Sequence, residues 1–365
     1  MPIHDVGYRP WKGKTTSAGT RWWTISEAGI AGALKSRWVR RALLASWIPI
    51  LYLGSGFFLF EKSMEQPDEN LIRDFRDIDW QEFRNTSQLA EEMNNAAQTT
   101  QADLARQVRI RQMQQMFEFA PHSESLAEAT ESGQTGEIRH RVWSWMLAMF
   151  LGYPQGIMTL LIVGLIVPPL ISRDVRSRAF LLYYSRPITR LEYLLGKLAI
   201  PCSILMLITF VPAIGLYFFG LMLSPDLGVI ADTWDLPFRV ALATMVSIIP
   251  VCLLSLLFSS MTEESRFAGF AWFAVWSLGA VVWGVINLIN QIEVGNSNLG
   301  SRQIAPFSEQ WSLMSIYSTI GRAQAWIFGL EPDFWQVLPS LIMLSALSVV
   351  SFFWLYRRIS APVRI

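Results

Sequence analysis

Six long apolar blocks alternate with polar stretches along the chain. Each block has about 20 residues or more, the length that an α-helix needs to cross the hydrocarbon core of a bilayer. Polar residues cluster between the blocks rather than at regular positions within them. We therefore predict an all-α integral membrane protein with six transmembrane helices, at 42–60, 143–171, 198–223, 238–260, 267–291 and 335–356.

Composition agrees with this pattern. Only 16% of the residues are charged and 52% are hydrophobic, whereas soluble domains carry about 25% charged residues. Both cysteines, Cys202 and Cys252, lie inside apolar blocks, so no disulfide framework is expected. Several blocks also contain proline, which predicts kinked or broken membrane helices.

The distribution of Lys and Arg predicts the orientation of the spans. Basic residues greatly outnumber acids in the segment 1–41, in the loop 172–197 and in the tail 357–365. Such segments stay on the cytoplasmic side, so both termini are predicted to be cytoplasmic. The acidic stretch 61–142 then lies outside, where its Gln-, Ala- and Glu-rich sequence predicts a small helical extracytoplasmic segment. The loop 292–334 also lies outside, and its scattered aromatic residues suggest re-entrant helices.

A basic amphipathic pattern precedes the first span. At about 100° per residue, four apolar residues of 23–41 fall on one side of a helix: Trp23, Ile30, Leu34 and Trp38. We expect an interfacial helix on the lipid of the inner leaflet, with the arginines reaching the headgroups. An irregular basic anchor that only sets topology is the alternative.

The spans lack the groups that most membrane chemistry needs. Apart from Arg239 at an outer edge, the apolar blocks contain no Asp, Glu, Lys, Arg or His, which argues against a proton path or an intramembrane enzyme. Gly13-Lys14-Thr15 lacks the preceding glycine of a phosphate-binding loop, so no nucleotide site is expected in this chain. We also predict no catalytic residue, no metal or cofactor in the chain, and no nucleic-acid partner. An enzyme that uses the outer residues Glu137, His122 and His140 is a remote alternative.

The loop 172–197 carries the most specific pattern. Ser172–Tyr184 can form a short helix that exposes its arginines, and Pro187 would end it. Thr189 can then cap a new helix with Glu192 three residues later. A docking element for a cytoplasmic partner and a plain topological loop fit these features equally well.

The loop resembles that of ABC-2 type permeases, the membrane subunits of ATP-binding cassette exporters. The likeness rests on Ser-Arg-Pro-Ile-Thr-Arg-Leu-Glu-Tyr at 185–193 with Gly-Lys at 196–197, and on the six spans and the preceding basic helix. It implies that a coupling helix enters a cleft of the ATPase subunit, formed by Asp174, Val175, Arg176, Ser177, Arg178, Ala179 and Phe180. It also implies that the segment leading into span three comprises Arg186, Pro187, Arg190, Glu192, Gly196 and Lys197. Asp174 stands where many relatives have Glu, and Ser177 where Gly is frequent.

The resemblance implies a permease subunit that exports a substrate across a bacterial plasma membrane. ATP and Mg would be bound by a separate ATPase chain, and a second permease chain, identical or different, would complete the path. The uncharged spans are compatible with many substrates, from lipids to polymers. The competing hypothesis is a non-transporting membrane scaffold whose ectodomain binds an envelope partner.

Overall fold

The structure is a computed structural model that describes residues 20–65, 135–179, 188–224, 228–296, 313–331 and 333–360. Within these ranges the regular structure is helical, without a β-strand. Several predicted features lie outside the described residues. They are the basic arm before residue 20, most of the extracytoplasmic segment 61–142, residues 297–312 of the loop 292–334 and the end of the tail.

The described helices follow the apolar blocks but extend beyond most of them. A π-helical turn, Met206–Phe210, separates α6 from α7. In chain order the helices are α1 (Arg21–Leu34), α2 (Arg37–Ala45), α3 (Ile48–Glu65), α4 (Thr135–Ile166), α5 (Pro168–Arg176), α6 (Arg190–Leu205), α7 (Val211–Leu223), α8 (Gly228–Thr233), α9 (Leu236–Met261), α10 (Ser265–Asn296), α11 (Ile316–Ile327) and α12 (Phe334–Ser360).

Six helical stretches of the described chain are long and apolar enough to cross a membrane, which confirms the prediction of an all-α protein with six spans. Four of them join consecutive helices that are separated by a kink or a turn. The stretches are Arg37–Phe58, Gly136–Arg176, Arg190–Leu223, Gly228–Met261, Ser265–Val282 and Phe334–Ile359.

Helix α9 is the centre of the packing. It contacts α4, α5, α6, α7, α10, α11 and α12. Near one end, Val240 and Ala243 join a buried cluster formed mainly with α3, α4 and α7. Near the other end, Ile248 and Cys252 join a second cluster formed mainly with α4, α5 and α6. One central helix therefore contributes to both buried clusters.

The chain before the first span forms two helices rather than one. Helix α1 ends at Leu34, and Ser36 takes an extended backbone before α2 begins. The prediction of one apolar side assumed a continuous helix over 23–41. The break places Trp38 on α2, whereas the other three predicted apolar residues lie on α1. Trp23 is exposed, whereas Ile30 and Leu34 pack against the buried cluster beside α6. Helix α1 is therefore partly built into the bundle.

Candidate coupling site

The predicted coupling helix is the last turn of a helix that continues from the second span. The helix is interrupted at Val167, which keeps α-helical dihedral angles (φ −76°, ψ −37°). Pro168 and Pro169 follow it, and proline has no amide hydrogen with which to continue the helical hydrogen bonds. Helix α5 then ends at Arg176, eight residues earlier than the predicted end at Tyr184. Phe180, Arg186 and Pro187 lie outside the described residues.

A Schellman motif ends α5. The Ala179 amide donates to the Asp174 carbonyl at 3.0 Å, and the Arg178 amide donates to the Val175 carbonyl at 3.2 Å. Arg178 has a φ of 51°, the left-handed conformation that glycine usually supplies at this position. The backbone therefore turns away sharply just after Arg176, and Ser177 lies in the turn. Arg176, Ser177 and Arg178 are all exposed there.

Asp174 packs against the start of α6. Its Oδ2 accepts a hydrogen bond from the Tyr193 hydroxyl at 2.7 Å and lies 2.7 Å from Lys197 Nζ. The Lys197 ammonium also donates to the Leu170 carbonyl at 2.8 Å. The side chains of Asp174 and Lys197 are only 15% and 10% exposed, and Tyr193 is fully buried. This triad fastens the end of α5 to the first turns of α6.

Helix α6 begins as its sequence predicts. Thr189 is the N-cap, and its side-chain oxygen accepts from the Glu192 amide at 3.3 Å. The Glu192 carboxylate accepts in return from the Thr189 amide, at 2.6 Å. This capping box confirms the predicted helix start and fixes the register that places Tyr193 and Lys197 beside Asp174.

Helix α1 packs closely on α6 because each helix has a glycine at the contact, Gly29 on α1 and Gly196 on α6. A Cβ at Gly196 would lie 2.9 Å from both Ile25 Cβ and the Trp22 carbonyl oxygen, and a Cβ at Gly29 would overlap Ile200. The Ser26 hydroxyl, which is fully buried, lies 3.1 Å from the Gly196 carbonyl oxygen. Close packing and this hydrogen bond therefore hold α1 against α6.

The start of α5 is capped by a side chain of α9. Ser259 Oγ accepts from the Ile171 and Ser172 amides, at 3.1 and 3.2 Å, and donates to the Pro168 carbonyl at 2.7 Å. Ile171 is among the first four residues of α5, whose amides lack acceptors within the helix, and Ser172 directly follows it. One hydroxyl therefore ties the kink between α4 and α5 to the central helix.

The charged surface of the site consists of arginines. Arg173, Arg176 and Arg178 are exposed. Arg176 Nη1 lies 3.5 Å from Glu264 Oε1 in a solvent-exposed ion pair, which contributes little to stability. Of the predicted coupling residues that the structure describes, Arg176 and Arg178 present charge outward beside Arg173, while Asp174 and Lys197 hold the helix in place.

A buried charge cluster that sequence reasoning missed lies at the other end of the bundle. Glu61, on α3, is fully buried; its Oε1 accepts from Trp143 Nε1 at 2.9 Å and its Oε2 from the Ser224 hydroxyl at 3.1 Å. Arg139 Nε lies 3.5 Å from Glu61, and Arg139 Nη1 donates to Asp232 at 3.0 Å. Glu61 directly follows the predicted span 42–60, which is why it was assigned to the outer segment.

The neighbouring contacts extend this cluster. His140 Nε2 lies 3.0 Å from Asp235 Oδ1, and Arg239 donates to Asp235 at 2.6 Å and to the Ile327 carbonyl at 2.9 Å. The Asp235 carboxylate therefore links His140 of α4 to Arg239 of α9, and Arg239 separately bonds to the end of α11. Among the described residues, no group of three or more His, Cys, Asp and Glu side chains is arranged to hold a metal ion.

Comparison with known proteins assigns the family. No curated protein and no solved structure matches this chain. A family described as ABC-2 family transporter protein matches residues 70–359, which is well over half of the sequence. The match includes the second to sixth spans and the loop with its triad. This multi-pass integral membrane protein therefore belongs to the ABC-2 transporter family.

Proposed function

We propose that the chain is the permease subunit of an ABC-2 exporter, driven by a separate ATPase chain that binds ATP and Mg. In this proposal both termini and the 172–197 loop lie in the cytoplasm, and a second permease chain completes the path across a bacterial plasma membrane. The family membership and the six apolar helices support it. The protein itself carries the substrate path and the transmission element and hydrolyses nothing.

The observation that carries the proposal is the contrast between the two sets of charges on α5. Arg173, Arg176 and Arg178 face outward, where an acidic cleft could receive them. Asp174, on the same turn, is bound to Lys197 and Tyr193 of α6. A force applied to the exposed side chains is therefore delivered to α6 through a short, mostly buried ion pair.

Two further contacts extend this transmission. Ser259 carries displacement of α5 to the central helix α9. The close packing at Gly196 carries displacement of α6 to α1. Rigid-body motion of packed helices is a common means of switching, and here closure of the ATPase chains on ATP would rock α5, α6 and α9 together.

The test is purification of the full-length protein from its native membrane in mild detergent, followed by identification of the chains that accompany it. The proposal expects a near-stoichiometric soluble ATPase that is lost when R176E and R178E are combined. R357E with R358E at the end of α12 is the matched control, since it reverses the same charge on another helix. Recovery of the chain without an ATPase, but with an envelope protein, would support the scaffold instead.

A further inference from the structure

Helix α2 places its arginines on one side and its core contacts on the other. At about 100° per residue, Arg37, Arg40 and Arg41 fall within one sector of the helix. Val39, which is 1% exposed, points in the opposite direction into the buried cluster with α6 and α9. All three arginines are exposed. The helix is therefore held by its apolar face and presents a cationic face.

Aromatic side chains flank this cationic face. Trp38 is 67% exposed and lies under the Arg41 guanidinium, 5.5 Å from ring centroid to Cζ. Trp47, just after α2, is also exposed. Exposed tryptophans beside arginines at the end of an apolar span are typical of the level of the lipid headgroups.

Helix α2 is also fixed in position, so its charges form a defined surface. The Ser46 carbonyl oxygen, at the turn into α3, accepts from Gln155 Nε2 of α4 at 3.0 Å. The chain has no acidic residue between Glu27 and Glu61. No acidic residue of the segment 28–60 therefore neutralises the cationic face.

We infer that this face, Arg37, Arg40 and Arg41 with Trp38, is a binding surface for the headgroups of anionic phospholipids. The occupant follows from charge and position. The first candidate span begins with Arg37, so the three guanidinium groups lie where phosphate and glycerol oxygens of the adjacent leaflet are found. A guanidinium donates two parallel hydrogen bonds to a phosphate group. Anionic and zwitterionic lipids both carry this phosphate, but only an anionic lipid has a net negative charge that attracts the arginines.

The inference is independent of the ATPase partner and can be tested on the isolated full-length protein. The delipidated chain in mild detergent is mixed with equal amounts of phosphatidylglycerol and phosphatidylcholine, and the retained lipids are counted by native mass spectrometry. Wild type should retain phosphatidylglycerol preferentially. Each arginine removed should lower this retention about fivefold at low salt, and R40Q with R41Q about 25-fold.

Three comparisons make the result specific. R357Q with R358Q removes the same charge from α12 and should leave the preference largely intact, and R40K with R41K should preserve most of it. If the double variant does not fold, R37Q alone and a salt titration of wild type replace it. Equal retention of the two lipids by wild type, or equal losses in the α2 and α12 variants, would overturn the inference. Displacement of the lipid by excess inorganic phosphate would assign the surface to a free anion and overturn it as well.

Discussion

Lys197 Nζ lies 2.7 Å from Asp174 Oδ2, and this ion pair joins the end of the second span to the start of the third. The lysine side chain is 10% exposed, so the pair is largely removed from water. Tyr193 donates to the same carboxylate oxygen and also lies under the ammonium group, 5.6 Å from its ring centroid. The pair therefore has a supporting hydrogen bond, which a buried charge requires.

Replacing Lys197 by Met should destabilise the protein by about 3 kcal/mol, because the aspartate is left buried without its counter-ion. D174N should cost a similar amount. Combined, the two changes should cost clearly less than their sum, since neither charge then remains unpaired. Apparent melting temperatures in detergent measure this. Additive effects would show that the two residues do not interact in the folded protein.

Gly196→Ala should separate α1 from α6. The added methyl would lie 2.9 Å from the Trp22 carbonyl oxygen, which belongs to the backbone and cannot rotate away. We expect a loss of about 1–3 kcal/mol from overpacking. Gly32→Ala is the control, because nothing lies within 4 Å of its added Cβ and alanine favours helix. Equal stability of the two variants would contradict the close contact.

Ser259→Ala should loosen the kink between α4 and α5. It removes an oxygen that accepts from two backbone amides and donates to one carbonyl, and unsatisfied buried groups cost about 1–3 kcal/mol. Ser260→Ala is the matched control, because its hydroxyl bonds only to Leu257 of its own helix. Hydrogen exchange at Ile171 and Ser172 should accelerate in the first variant alone. Unchanged protection in both would refute the capping role.

Glu61→Gln tests the charge cluster at the other end. The change keeps a hydrogen-bond acceptor for Trp143 but removes the negative charge beside Arg139. The Arg139 side chain is only 10% exposed. We expect a loss of about 2–4 kcal/mol. Glu264→Gln removes half of an exposed pair and should change stability by less than about 0.5 kcal/mol. A neutral Glu61→Gln would mean that Asp232 alone balances the arginine.

The sequence was sufficient for the architecture and for local signals. The six spans followed from apolar length, and the start of α6 followed from Thr189 and Glu192, because a capping box needs only residues close in sequence. The break at Ser36 was missed, because placing residues at 100° intervals assumes that the helix is unbroken.

Contacts between distant segments could not be predicted. The roles of Asp174 and Ser259 depend on which helices are neighbours, and periodicity does not determine that. The burial of Glu61 could not be predicted either, because its partners Trp143 and Ser224 lie far from it in the sequence.

The most direct test of the coupling role is crosslinking from a photoactivatable residue at Ser177, with the same residue at Trp234 as control. Ser177 lies in the exposed turn after α5, beside the Ser259 end of α9, and the 65%-exposed Trp234 lies just before the opposite end of that helix. In native membranes, the account predicts a crosslink from Ser177 to a soluble ATPase chain and none from Trp234. An ATPase crosslink at Trp234, or its absence at Ser177 while the complex is intact, would contradict it.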